Sequence, residues 1–428
     1  MALLIKNGRV IDPANNLDGK RDVLIENGKI VAVKSKIQGS RSKVIDAAGL
    51  WVLPGLVDLH VHLRDPGRPD KETIASGTRA AALGGFTSVC CMANTEPAAD
   101  NAAVIKYIKK KAENEGVVNV FPIGAVTKGL KGEALAEMAL MLAEGAVAFS
   151  DDGQSIRRAD CMRRALEYAR QFGAVIVAHC EDKDLSAGGA MNESALSTSL
   201  GLPAISPLSE ETMVARDLML AAEFGRVHIA HVSSARSVEL IRQAKRKGWP
   251  VSAETCPHYF SLTEAAVSGY DTNAKVNPPL KSKKDLQAII RGLADGTIDA
   301  IATDHAPHTT EDKNIEFNLA ATGLIGLETA LGLVLTKLVA TKALSLKQAV
   351  AALTVKPAKI FNLDKGTLKI GAAADVILVD PRKKWIVDPA KFASKSRNTP
   401  FAGWELTGQV LYTIVGGKVI VKDGQLVA

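Results

Sequence analysis

The residues best able to do chemistry in this 428-residue chain are a small set of imidazoles and carboxylates. The first stretch is Asp58-Leu59-His60-Val61-His62-Leu63-Arg64-Asp65. On a β-strand, residues two apart face the same side, so His60 and His62 point into one space. Each can offer a neutral ring nitrogen to a metal at about 2.0–2.1 Å. An isolated His-x-His is ordinarily a pair of unremarkable histidines on a half-buried strand. The position of the other groups changes that reading. Asp151-Asp152, His179, His231 and Asp304 each stand at the end of an apolar run. Four imidazoles and two carboxylates exceed what one tetrahedral zinc takes. They suit two metals about 3.5–4 Å apart that share a bridging ligand and a water. Such a pair polarises a carbonyl and lowers the pKa of a water, which is the chemistry of hydrolysis at a carbonyl, or of its reversal. Asp151 and Asp152 point to opposite sides of a continuing strand, so only one of them is the bridge.

These groups must be positioned by strands. Apolar runs at 87–92, 118–126, 146–150, 174–180, 227–232, 251–255 and 298–303 join the strand ending at His62 to make eight. Helical patterns lie between most of them, at 73–83, 102–115, 133–143, 161–172, 210–224, 237–247 and 283–294. Eightfold strand–helix alternation predicts a TIM (β/α)8 barrel, whose catalytic groups gather at the C-terminal ends of the strands. A doubly wound sheet is the alternative, because alternation does not show closure. Both ends of the chain read instead as strands and hairpins, with Asn7-Gly8, Asn27-Gly28 and Gly416-Gly417 as turns. We therefore expect one small β-domain built from residues 1–51 and 363–428, with the barrel, 52–362, inserted between them. The polar stretch 185–206 reads as a long loop or lid, and 309–317 as a mobile polar loop able to close over substrate.

Composition narrows the function. Aromatic residues make up 4% of the chain against 47% hydrophobic, a mix that suits tightly packed α/β architecture. The net charge of +7 is modest for this length. The basic runs at 106–111 and 281–284 carry no interleaved aromatics, so nucleic acid is not expected as a partner. A weak positive field favours an anionic substrate. The five cysteines form no C-x-x-C pair and read as reduced thiols. Residues 1–6 are too short in apolar length for a signal peptide, and no stretch approaches the ~20 apolar residues of a membrane span. A cytoplasmic protein without membrane contact is expected.

The run 58–67, ending Arg64-Asp65-Pro66-Gly67, resembles the signature of bacterial dihydroorotases, within the cyclic amidohydrolases. Ala302-Thr303-Asp304-His305-Ala306-Pro307-His308 resembles their second signature. Met92-Ala93-Asn94-Thr95, Asp151-Asp152-Gly153, His179-Cys180-Glu181-Asp182, His231-Val232-Ser233, Asn277-Pro278-Pro279-Leu280 and Lys395-Ser396-Arg397-Asn398-Thr399-Pro400 also fit. The resemblance runs in order over essentially the whole chain. It implies a TIM barrel with an adjoining β-sandwich from both termini. It implies zinc, one or two ions with two favoured. His60, His62, Asp152 and Asp304 would serve one metal, and Asp152, His179 and His231 the other. It thus favours Asp152 over Asp151 as the bridge. Relatives such as hydantoinases and most allantoinases carry a carboxylated lysine there, and the strand-four end here has no lysine.

The reaction the resemblance implies is reversible closure of N-carbamoyl-L-aspartate to L-dihydroorotate, in pyrimidine synthesis. Arg64 can grip the surviving carboxylate bidentately. Asn94 and His308 match the family's partners for it, Asn277 the ring's polar edge, and the backbone at Thr322-Gly323 the ring, with His62 beside the substrate. In ring opening, a metal-bridging hydroxide attacks the amide carbonyl, and Asp304 takes its proton and passes it to the leaving nitrogen. His258 is left as a second-sphere residue, His305 as a support for the loop bearing His308, and His228 as structural. The resemblance further implies a homodimer and a complex with an aspartate transcarbamoylase. The chain departs from the family at Ala321-Thr322-Gly323, where Pro-Phe-Gly is usual, and at Ala93, where proline is usual. An allantoinase with an aspartate bridge and a non-catalytic scaffolding paralogue are the competing readings. Arg64 with Asn94 and the Asp304–His308 signature speak against the first. The complete ligand set speaks against the second.

Overall fold

Eight parallel strands close a barrel in the computed structural model, which describes residues 2–38 and 42–427. In order they are Leu56–Val61, Phe86–Cys91, Asn119–Pro122, Phe149–Ser150, Val175–Ala178, Arg226–Ile229, Val251–Thr255 and Ala300–Ile301. A three-stranded and a five-stranded parallel ladder make up the wall. Two further parallel bridges join them, Gly124 to Phe149 and Val61 to His305. The second of these ties the first strand to the end of the eighth. That closure removes the doubly wound alternative.

Helices wrap the wall where the 3.6-residue pattern places them. Ile74–Leu83 starts in a capping box, in which Thr73 and Ser76 satisfy each other's backbone N–H. Ala102–Glu115 starts on Asn101, whose side chain accepts from Ala103 N and Val104 N. Ala159–Arg170, Leu208–Phe224, Ala235–Arg246 and Lys283–Asp295 follow in turn. Along the second strand Val89 and Cys91 face the helices, while Cys90 and Met92 join a separate cluster with Val57, Leu59, Ile123, Val175 and Val177. That alternation is the period of a strand with two buried faces. Among the described residues, no helix is long and apolar enough to cross a membrane.

Four expectations change. The helix expected over 133–143 is only Met138–Ala143. The preceding residues bend through 132–134 instead, with Leu135 bridging Thr127 and Thr127 bonded to Asp151. Asn7-Gly8 is a bulge within one strand, Ala2–Asp12, and not a hairpin. The reason is packing: a Cβ on Gly8 would stand 2.4 Å from Val52 Cγ2. The stretch 185–206 carries its own structure, a helix at Ala195–Leu200 and a small ribbon pairing Met191–Asn192 with Ala204–Ile205. The loop after His308 forms a helical turn, Thr310–Lys313, in a Thr309–Asp312 capping box.

The two ends of the chain share one nine-stranded, mostly antiparallel sheet. Asn27-Gly28 and Gly416-Gly417 are its hairpin turns, all four residues at positive φ. Trp51–Pro54 from the front of the chain pairs with Val376–Ile386 from the back. Lys29 bridges Ala373, so the sheet curls over a core that includes Ile5, Val10, Ile25, Ile30, Val376 and Ile414. This is the β-sandwich from both termini that the resemblance implied.

Candidate active site

The C-terminal rim of the barrel gathers the groups that the sequence singled out. His60 is the penultimate residue of the first strand and His62 follows its end, with His62 N donating to His305 O across the barrel seam at 2.9 Å. The ladder to the second strand slips register between Asp58 and Val61. The two rings nevertheless converge, their centroids 5.3 Å apart. Asp152 follows the fourth strand, His179 the fifth, His231 the sixth and Asp304 the eighth.

Asp152 is the centre of the constellation. Its Oδ1 lies 3.4 Å from His60 Nε2, 3.5 Å from His179 Nδ1 and 3.5 Å from His231 Nε2. Its Oδ2 lies 3.5 Å from His62 Nε2. Asp304 Oδ1 stands 3.4 Å from His60 Nε2 and 3.1 Å from His62 Nε2. Asp151 turns the other way, accepting from Val126 N, Thr127 N and the Thr127 hydroxyl. The two neighbouring carboxylates therefore do separate jobs, as strand alternation requires.

The spacing fits a cation. Two ligands about 2.1 Å from one metal at a tetrahedral angle stand about 3.4 Å apart. His60, His62 and Asp304 form one group of atoms close enough to share an ion, and His60, Asp152 and His231 another. His60 Nε2 and Asp152 Oδ1 are buried with no hydrogen-bond partner. A buried polar atom left so is costly unless something else satisfies it. The remaining ring nitrogens are used to hold the rings. His60 Nδ1 donates to Glu254 at 3.0 Å, His62 Nδ1 to Asn94 Oδ1 at 2.9 Å, and His179 Nε2 to Glu181 at 3.0 Å. Each leaves a lone pair turned to the cluster, the arrangement of metal-ligating histidine. His179 Nδ1 and His231 Nε2 lie 2.8 Å apart.

Electrostatics make the same demand for positive charge. Burial opposes a charge on His60, yet Asp152 and Asp304 overcome it and raise its pKa well above the usual imidazole range. His179 is likewise pushed up to about 9 against its burial, by Asp152 and Glu181. Burial alone would raise the two carboxylates, but the surrounding imidazoles hold both Asp152 and Asp304 below the ordinary carboxylate range. A divalent cation would take the place of those protons.

Beside the cluster lies a cationic pocket. Arg64, half-buried two residues past His62, has Nη2 3.5 Å from His308 Nε2. His308 Nε2 is 3.0 Å from Thr322 O. A Cβ on Gly323, at φ 134°, would stand 2.7 Å from Ala306 Cβ and 3.2 Å from His308 Nε2, so this close approach requires glycine. Asn277 Nδ2 donates to Glu181 at 3.0 Å, which places it against His179's partner. Arg64, His231 and Asp304 all have positive φ, at 56°, 33° and 48°. Such strain in non-glycine residues persists only where the surroundings impose it, and it collects at functional sites.

Sequence reasoning assigned no role to Glu254, Asp58 or Lys71, while it named His305 and His258 as supports. Glu254, fully buried on the seventh strand, joins His60 to His228, whose Nε2 lies 3.2 Å away. Its signal was a lone carboxylate in the strand-like run Val251–Thr255. Asp58 accepts from Thr303 N, Thr303 Oγ1 and His60 N, locking the first strand's end to the eighth's. Lys71, in a polar run that reads as surface, is 8% exposed and touches His308. His305 is held by Glu72 and by Gly326 N. His258 is buried with both ring nitrogens unpartnered.

Known proteins agree with this architecture. The model of the amidohydrolase family matches residues 51–420. A dihydroorotase of Pelotomaculum thermopropionicum is 57% identical over 99% of both chains. A dihydroorotase of Syntrophotalea carbinolica is 55% identical, again over 99% of both. Among solved structures, an L-hydantoinase from Arthrobacter aurescens superposes with a TM-score of 0.91 at 28% identity, over 100% of this chain and 97% of that one. A dihydropyrimidinase from Brevibacillus agri gives 0.87 at 26% identity, over 100% and 96%. The chain belongs to the amidohydrolase family, alongside its dihydroorotase members.

Proposed function

We propose that the chain is a dihydroorotase, interconverting N-carbamoyl-L-aspartate and L-dihydroorotate in pyrimidine synthesis. One observation carries the reading. The imidazole–carboxylate cluster around Asp152 lies within electrostatic reach of Arg64, which in turn meets His308, a neighbourhood that suits a cyclic amide bearing a carboxylate. The proposed cofactor is zinc, two ions favoured, with His60, His62, Asp152 and Asp304 for one and Asp152, His179 and His231 for the other. When bound, such ions polarise the ring carbonyl and lower the pKa of a water towards neutrality.

The chain's residues do the rest. Arg64, Asn94 and His308 hold the carboxylate that survives the reaction. Asn277 and the backbone at Thr322 and Gly323 line the ring, and His62 stands between metal and substrate. In ring opening, Asp304 accepts a proton from the attacking water. The water oxygen bonds to the carbonyl carbon, the ring C–N bond breaks, and Asp304 returns the proton to the leaving nitrogen. Closure runs the same steps backwards. The central aspartate supports this reaction over that of relatives with a carboxylated lysine.

Purified protein should turn over carbamoyl aspartate and dihydroorotate, with metal analysis finding one or two zinc ions per chain. Turnover of hydantoin or allantoin without dihydroorotate would overturn the reading. The same reading includes a cytoplasmic homodimer with an aspartate transcarbamoylase as partner. Gel filtration of the chain alone and mixed with a transcarbamoylase tests both.

A further inference from the structure

His308 is fixed from both sides of its ring. Its Nδ1 lies 3.2 Å from Lys71 Nζ. That ammonium also forms an ion pair with Asp312 Oδ2 at 2.9 Å. An ammonium has donors and no acceptor. Asp312 Oδ2 stands 3.6 Å from the same Nδ1, beyond hydrogen-bond reach and taken by Lys71, so Nδ1 accepts and the single proton of a neutral ring sits on Nε2. The other side requires the same thing: Thr322 O, 3.0 Å from Nε2, can only accept. A doubly protonated ring would turn an N–H against Lys71. The charged groups around the ring are Arg64 after the first strand, Lys71 before the first helix, and Asp312 and Lys313 on the turn after His308. Three cations face one carboxylate. Burial and these cations push His308 down to about 3.

We infer that Lys71 is a positioning residue for the substrate carboxylate, because it holds His308 as the neutral Nε2–H tautomer beside Arg64. Arg64 Nη2 and His308 Nε2, 3.5 Å apart, are then two donors on one side of the pocket, and the Nε2–H that Thr322 O accepts at 3.0 Å is the one a substrate carboxylate would share. The inference rests on the dihydroorotase reading, in which Arg64 and His308 take that carboxylate. Without Lys71 the ring is free to adopt the other tautomer, which presents a lone pair to the substrate, while burial and Arg64 still oppose its protonation.

The test is steady-state kinetics of the metal-loaded enzyme with dihydroorotate from pH 6 to 9, for wild type, Lys71→Met and Lys71→Arg. At pH 8, Lys71→Met should raise KM by about tenfold or more, the worth of a hydrogen bond to a charged group. Its kcat should stay within about threefold, because Lys71 touches neither metal nor scissile bond. The KM ratio of variant to wild type should stay level from pH 6 to 9, because burial and Arg64 keep the released imidazole neutral. Lys71→Arg, which still offers a donor, should recover most of the loss. Should Lys71→Met fail to fold with Asp312 unpaired, Lys71→Met with Asp312→Asn carries the same test. A KM within about twofold of wild type at every pH, or a fall in kcat alone, would overturn the inference and leave the dihydroorotase reading standing. Wild type inert towards dihydroorotate would overturn both.

Discussion

At the scale of single residues, the roles of neighbouring carboxylates are separated by where the chain points them. Asp152 meets four imidazoles, whereas Asp151, next to it, is consumed by backbone and hydroxyl donors. Asp304 differs from Asp152 in facing the pocket side, on His60 and His62. The proposed proton transfer at Asp304 can be tested cleanly. Asn keeps its shape and one oxygen, and it tolerates the left-handed backbone found there at φ 48°. It cannot take a proton. Asp304→Asn should therefore lower kcat by at least about 10²-fold in both directions, the low end of general acid–base catalysis, while metal analysis shows the ions retained. A near-normal rate with full metal content would remove Asp304 from that role.

At the scale of elements, the pocket depends on loops held by buried lysines and glycines. Lys313 Nζ donates to Ala321 O at 2.7 Å and to Gly323 O at 2.9 Å, anchoring the turn after His308 to the segment opposite. Burial, with Lys275 nearby, lowers its pKa to about 7. A polar sequence at 309–317 therefore becomes a fastened turn, because its one buried cation finds backbone carbonyls contributed by residues further along. The departure at Ala321-Thr322 leaves the contacting backbone in place, since Thr322 O and Gly323 O are what His308 and Lys313 use. Gly323→Ala should disturb this locally. An added Cβ meets Ala306 and His308 Nε2. We expect KM for dihydroorotate to rise by about tenfold with little change in kcat or metal content, read by kinetics and metal analysis. Unchanged KM would show that the segment does not shape the pocket.

At the scale of the whole molecule, the residues after the long strand Val376–Ile386 return to the barrel rim and bind its loops together. Asn398 donates to Ala306 O and Gly323 O and accepts from His308 N. Ser394 bonds to Glu72, which also holds His305. Glu328 accepts from Ala393 N and Ser394 N, and burial pushes it from 4.5 up to about 7. The raised value gives a definite pH dependence. The folded state binds a proton that the unfolded state releases, so stability is lost as pH rises from 4.5 through about 7. The size is roughly 1–3 kcal/mol, towards the lower end because Glu328 is only partly buried and lines a groove with Trp385 and Lys391. Glu328→Gln should remove that loss. Chemical denaturation at pH 5.5 and pH 8 should find the variant gaining on wild type at the higher pH. An equal difference at both values would refute the assignment.

How far the sequence alone reaches follows from the range of the interactions. The barrel was legible because strand and helix periods are local, set by burial of every second or every third to fourth residue. The gathering of His60, His62, Asp152, His179, His231 and Asp304 at one rim was legible because each group lies at or just past the end of an apolar run and strand ends share one rim, while the choice of Asp152 over Asp151 came from the resemblance. The supports were not. Glu254 holds His60 from 194 residues away, and Lys71 holds His308 from 237. Nothing near Lys71 distinguishes it from a solvated lysine until folding buries it. The bulge at Asn7-Gly8 and the shortened helix at Met138–Ala143 have the same origin, since Val52 and Asp151 reach those segments only in the folded chain. Local patterning specified which groups could meet a metal. The tautomer, direction and charge of those groups come from partners that only the closed barrel brings within reach.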